Sequence, residues 1–273
     1  MSDFGLMCAV ALERMVYLDS KRVKRALRAH LPGRPVEVLD RLHGADKSGL
    51  LVILDGHSCV VMVVDGRLPE PEFAGALAEN PLWPAAAATM RRHEAFLVIS
   101  LVDPPQDSAD VRAQAAMQTR LAAVLCGMLP VLGVYWPGAA AAAPPARVRR
   151  AADELNQNKW PADLWIGYEF RGTDAEVGLF VGIRSKGAAP YIGVEIEVPP
   201  RHVRDRVEAI LYLERAVADL LTRGHRIRDG EPVRMGTRNE AWHQVRYVSR
   251  GEISIMALRE LEEPIWGLAS VSR

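Results

Sequence analysis

Three short segments in the second half of the chain alternate in polarity with a period of two, and that rhythm limits the possible folds more than any other feature. Residues 163–170 place Leu164, Ile166, Tyr168 and Phe170 on one side and Trp165, Gly167 and Glu169 on the other. Residues 177–184 set Val177, Leu179, Val181 and Ile183 against Gly178, Phe180, Gly182 and Arg184. Residues 191–198 set Ile192, Val194, Ile196 and Val198 against Tyr191, Gly193, Glu195 and Glu197. Successive side chains of a strand point to opposite faces, so these segments read as one half-buried sheet with glycines and carboxylates on its open side. The stretch 201–223 carries Val203, Val207, Ile210, Leu211, Val217, Leu220 and Leu221 on one stripe, the pattern of a helix that covers the apolar face. Strands near 232–235, 244–249 and 252–258 follow.

The first half reads as strand 5–12, helix 19–30 and strands 36–42, 50–54 and 58–64, with Asp55-Gly56 as a tight hairpin turn. Short helices over 69–80 and 84–93, a strand over 96–102, a helix from Asp107 or Ser108 to Pro130 and a strand over 131–136 complete it. Pro137-Gly138, five alanines and Pro144-Pro145 mark the one strong shift in composition, and they read as a connector leading into a helix over 146–157. The expected division is an α+β half over 1–138, a connector over 139–160 and a second α+β half over 161–273. The fold class is α+β, with two mostly antiparallel sheets and helices packed on one face of each. Strand, polar break and helix occur both at the start and from Tyr191 onward, which raises pseudo-duplication of one ferredoxin-like module.

The chain has 34 basic and 34 acidic residues, so no net charge draws it to nucleic acid or to an anionic membrane surface. No apolar run reaches the length that spans a bilayer, and Met1 to Gly5 lead into the first strand without a basic leader or a cleavage pattern. A cytoplasmic protein is expected. Cys8, Cys59 and Cys126 are scattered in apolar stretches and read as reduced core thiols. The seven histidines show no metal-ligand spacing, and no phosphate loop, dinucleotide fingerprint, nucleophile elbow or zinc-protease motif occurs. No catalytic residue, metal ligand or cofactor is assigned.

Glu169, Glu195 and Glu197 form the sharpest constellation, joined on the same face by Arg184, Trp165 and Phe180. Three uses fit such a face: a solvated charged surface, a surface that meets a basic protein, and a metal or acid–base site. Trp83-Pro84, Tyr135-Trp136-Pro137 and Trp160-Pro161 read as aromatic plugs at element boundaries.

Leu82-Trp83-Pro84 with His93 and the run Phe96 to Ser100, then Leu132-Gly133-Val134-Tyr135-Trp136, Asp163-Leu164-Trp165 and Val194-Glu195-Ile196-Glu197-Val198, follow one another in the order of an uncharacterised bacterial family. The chain resembles the family called domain of unknown function 4261 over residues 60–225. It departs from that pattern where Pro137 and the alanine run follow Tyr135-Trp136. Some relatives lie among toxin–immunity and secretion-associated genes, so the resemblance implies a protein that binds another protein. The expected function is a cytoplasmic immunity protein that neutralises a bacterial toxin or effector delivered by a secretion system such as type VI, and the interface expected is Glu169, Arg184, Glu195, Glu197, Trp165 and Phe180. The alternative is a small-molecule or hydrolytic enzyme with a carboxylate-lined, metal-dependent site.

Overall fold

The computed structural model describes residues 7–44, 47–78, 80–174, 179–223, 228–235, 241–250 and 253–260. They form two compact units, Met1–Gly167 and Tyr168–Arg273.

The first unit runs β1 (Met7–Leu12), α1 (Ser20–His30), β2 (Val36–Gly44), β3 (Lys47–Leu54), β4 (His57–Asp65), α2 (Glu70–Ala78), α3 (Ala86–Met90), β5 (Ala95–Leu101), α4 (Ser108–Met128), β6 (Val131–Trp136), β7 (Ala141–Ala143), α5 (Pro145–Asn156) and α6 (Ala162–Trp165). Its sheet has the order β2-β3-β4-β5-β1-β6-β7, and every neighbouring pair is antiparallel. Strand, helix, meander, helix, strand is the order of a ferredoxin-like module. Here the meander has four strands, β2 to β5, where that module has two.

Local chemistry sets the element ends. Asp19 caps α1 by accepting from the Arg22 amide, and Asp107 caps α4 by accepting from the amides of Ala109 and Asp110. Asp55 and Gly56 both have positive φ, 54° and 84°, the backbone that a two-residue turn between right-twisted strands requires.

β1 is buried on both faces. Ala9 and Ala11 join a cluster with Phe73 and Leu77 of α2, Met90 of α3 and Tyr135 of β6. On the other face lies α4, which is buried almost continuously from Gln114 to Leu125. A helix enclosed on all sides loses the polar stripe of a surface helix, and its remaining polar groups need partners. Thr119 Oγ1 donates to the Ala115 carbonyl at 2.8 Å and accepts from Trp165 Nε1 at 2.9 Å, while Gln118 Nε2 donates to the Ile99 carbonyl at 3.3 Å. Cys8 and Cys59 are buried free thiols, and burial pushes the Cys59 thiol up to about 12, which leaves it protonated and inert at neutral pH. His93 is also a core residue, accepting the Leu68 amide on Nε2 while Nδ1 meets the Met90 carbonyl.

The alanine run behaves differently from a connector. After a 3-10 turn over Pro137–Ala139, Ala141–Ala143 pairs with β6 as an edge strand, and α5 packs against α4 within the first unit. Alanine favours helix in isolation. Here the free edge of β6 offers hydrogen-bond partners that this propensity does not anticipate.

The second unit contains β8 (Gly167–Asp174, of which residue 167 belongs to the first unit), β9 (Leu179–Lys186), α7 (Ala189–Ile192), β10 (Glu195–Val203), α8 (Arg206–Arg223), β11 (Pro232–Met235), β12 (Ala241–Arg250) and β13 (Ile253–Glu260). Its sheet order is β11-β12-β13-β10-β9-β8. The opening β10–α8–β11 repeats the opening β1–α1–β2. The meander that follows has three strands, so β13 returns parallel to β10 rather than antiparallel. Val194, Ile196 and Val198 are buried, as are Val181 and Ile183 of β9 and Ala209, Ile210, Leu213, Ala216, Val217 and Leu220 of α8. Tyr168 donates to Glu214 of α8 at 3.1 Å, and the Arg206 guanidinium lies 5.2 Å from the Phe170 ring, so the apolar side of the sheet is the side that α8 covers.

Two of the three alternating segments, 163–170 and 191–198, begin pairing later than their periodicity predicts. Residues 162–165 are helical because Pro161 starts a turn and Arg147 holds Asp163. Residues 189–192 are helical behind Gly187, with Pro190 in the first turn. Arg201 to Val203, expected in the helix, extend β10 past a bulge at Pro199-Pro200, where proline lacks the donor that a regular ladder needs.

Candidate functional site

The open side of the second unit's sheet collects Glu169 and Arg171 from β8, Phe180 and Arg184 from β9, and Glu197 and His202 from β10. For Glu169, Arg171, Phe180, Arg184 and Glu197 the neighbours in sequence face α8, so alternation places these five outward, and His202 joins them beyond the register shift at Pro199-Pro200. Arg184 stands opposite Glu197 in the β9–β10 pair, and Phe180 stands opposite His202. The Phe180 and His202 rings are tilted, with centroids 5.1 Å apart. Arg171 bridges two strands: its Nη2 lies 3.4 Å from Glu169 Oε2 and its Nη1 lies 3.7 Å from Glu197 Oε2.

The charges are therefore mixed rather than a bare carboxylate cluster. Glu169 and Glu197 meet arginine, which removes the repulsion that would otherwise call in a cation. Phe180 keeps 39 % of its surface exposed amid these charges, one of few large apolar residues to do so among the described residues. Arg171 is the member that sequence reasoning missed, although it was legible two positions after Glu169. His202, close enough in sequence to join the site, reaches the outward face only through the Pro199-Pro200 bulge.

Two expected members are elsewhere. Trp165 is not a strand residue facing solvent; it ends α6, is 1 % exposed and is fixed in the first unit's core by its bond to Thr119. Glu195 is 6 % exposed and serves the backbone. Its Oε1 accepts from the amides of Gly187 and Ala189 at 3.0 and 3.1 Å, and its Oε2 accepts from the Ala188 amide at 3.2 Å and from Ser185 Oγ at 2.5 Å. Those amides open α7 and have no helical partners of their own, so a carboxylate from the adjoining strand satisfies them. An enzyme lined by Glu195 and Glu197 would need both on one cavity, and Glu195 is committed to this cap. Among the described residues, no group of three or more histidine, cysteine, aspartate or glutamate side chains is arranged to hold a metal ion.

The expected floor of glycines is also different. A Cβ on Gly167 would lie 1.9 Å from the Ala139 carbonyl oxygen, and one on Gly182 would lie 3.0 Å from the Pro200 nitrogen. Gly193 has φ 80° and ends α7. These glycines serve close packing and a turn, while Gly178 lies outside the described residues. No family model, curated protein or solved structure matches this chain. Among the described residues, no helix is long and apolar enough to cross a membrane.

Proposed function

We propose that the protein works by binding another protein through the open face of the second unit's sheet, most concretely as a cytoplasmic immunity protein that occludes a toxin delivered by a secretion system. The observation that carries this reading is Phe180, an aromatic ring exposed on a sheet face and framed by Arg171, Arg184, Glu169, Glu197 and His202. Protein interfaces concentrate their energy in a few aromatic and arginine anchors surrounded by a polar rim. The mixed rim would orient a partner and speed its approach rather than supply most of the affinity.

The reading is tested by capture of the neighbouring gene's product, comparing the wild-type chain with folded Phe180→Ala and Glu197→Lys variants. Phe180→Ala should weaken binding by about tenfold or more, the loss expected of an interface anchor. Glu197→Lys should mainly slow association, and more so at low salt. Undiminished binding by both variants would move the interface elsewhere, and no binding by the wild-type chain would remove this partner.

A further inference from the structure

A second site lies wholly in the first unit and is independent of the sheet face. A cavity of about 540 Å³ opens among Arg34, Asp55, His57, Arg120, Lys159 and Trp160, a volume within the usual range for small-molecule sites. Ala113 and Ala116 of α4 form part of its wall and leave space one and two turns before Arg120 on the same helix face.

The charges are poorly balanced. Arg34 Nη1 donates to Asp55 Oδ2 at 2.5 Å, and Arg120 Nη1 stands 3.9 Å from the same oxygen. Two guanidinium groups thus share one carboxylate, and Lys159 adds a third cation at the rim, its Nζ bonded to Gln157. His57 on the wall faces Asp110, Nδ1 to Oδ1 at 3.6 Å.

Arg120 is the decisive residue. Its side chain is 9 % exposed, and its Nε–H is buried with no hydrogen-bond partner among the described residues. Burial lowers its affinity for the proton below the ordinary arginine value, and the neighbouring Arg34 lowers it further, with Asp55 opposing both. A buried guanidinium with an idle donor, next to a second guanidinium, destabilises the fold unless something anionic completes it. Structural arginines are usually given their partner by the chain itself.

We infer that this cavity binds a small phosphomonoester, its phosphate received by Arg120, Arg34 and Lys159 and its body lying along Trp160. Among the residues that line the cavity, three cations against Asp55 leave two positive charges in excess, with Asp110 behind His57 as the next carboxylate, and a phosphomonoester carries close to two negative charges at neutral pH. Arginine forks suit phosphate oxygens, and the half-buried Trp160 ring offers a flat apolar wall.

The test is calorimetric titration of the full chain with phenyl phosphate, with inorganic phosphate and benzoate as separate arms. Phenyl phosphate should bind saturably at one site, more tightly than inorganic phosphate, which lacks the ring, and than benzoate, which carries one charge. Arg120→Met should weaken phenyl phosphate by at least about tenfold while melting no lower than wild type, since Asp55 keeps Arg34. Lys159→Met, a change at the exposed rim, should weaken it several-fold without altering the fold, and it decides the matter alone if Arg120→Met does not fold. Absence of binding by the wild-type chain at millimolar phenyl phosphate would overturn the site. Equal binding by Lys159→Met and wild type would do the same, leaving only a structural ion cluster. Tighter binding of benzoate would overturn the phosphate class.

Discussion

Arg147 and Asp163 meet fork to fork: Nε donates to Oδ2 at 2.6 Å and Nη2 donates to Oδ1 at 2.5 Å. The same Nη2 donates to Glu154 at 2.9 Å, so one guanidinium of α5 collects two carboxylates. Their hydrogen bonds and charges raise the guanidinium's affinity for its proton against an opposing burial effect that is the largest single influence. This tie holds residues 162–165, a turn of helix, against the start of α5.

Removing it should therefore be costly. Arg147→Ala leaves Asp163, with only 14 % of its side chain exposed, without its counter-charge. The expected loss is about 2–4 kcal/mol in urea unfolding, near the value for breaking a buried pair. Arg147→Lys should recover less than half, because an ammonium cannot make the two-pronged contact. A loss under about 0.5 kcal/mol for Arg147→Ala would show the pair to be a surface contact.

Glu195→Gln tests the α7 cap. The amide retains one oxygen, but its NH2 must face donors that the carboxylate now satisfies. A destabilisation of about 2–3 kcal/mol is expected from the lost charge-assisted bonds. If Glu195 instead served recognition, the substitution would leave the melting temperature unchanged and alter only binding.

Glu208 gives a pH signature. It accepts the Arg204 amide at 2.8 Å, and Asp205 caps α8 by accepting the Glu208 amide at the same distance. The bond from the Arg204 amide holds the Glu208 carboxyl below its ordinary value, with smaller help from the Arg204 side chain. A depressed carboxyl stabilises the fold above its unfolded pKa, and that contribution fades as pH falls through the folded value. Glu208→Gln should thus lower the melting temperature at pH 7 and converge on wild type in acid. A gap that persists unchanged at pH 3 would assign the effect to packing.

Two glycines should respond in opposite directions. Gly167→Ala drives a methyl onto the Ala139 carbonyl and should cost about 3 kcal/mol or prevent folding. Gly127, in the last turn of α4, has nothing within 4 Å of a Cβ, and Gly127→Ala should stabilise by about 0.5–1 kcal/mol. Equal melting temperatures for the two variants would contradict the packing described at Gly167.

By itself the sequence determined which residues face in and which face out. Alternation through Val181 and Ile183, or through Ile196 and Val198, sorts side chains to opposite faces whatever the strand pairs with. Caps such as Asp19 and Asp107 and the Asp55-Gly56 turn are equally local, since their hydrogen bonds close within a few residues. The tertiary structure decided the rest. That Ala141–Ala143 is a strand depends on the free edge of β6, and that residues 162–165 are helical depends on Arg147, sixteen positions before Asp163. Glu169 and Glu195 carry the same chemistry, yet one is exposed and the other buried, because only Glu195 lies beside the open amides of α7. Arg34, Asp55 and Arg120 come together from a loop, a hairpin turn and the middle of a helix. A lone arginine within the apolar run of α4 was their one visible sign, and periodicity carries no information about which distant group will share its charge.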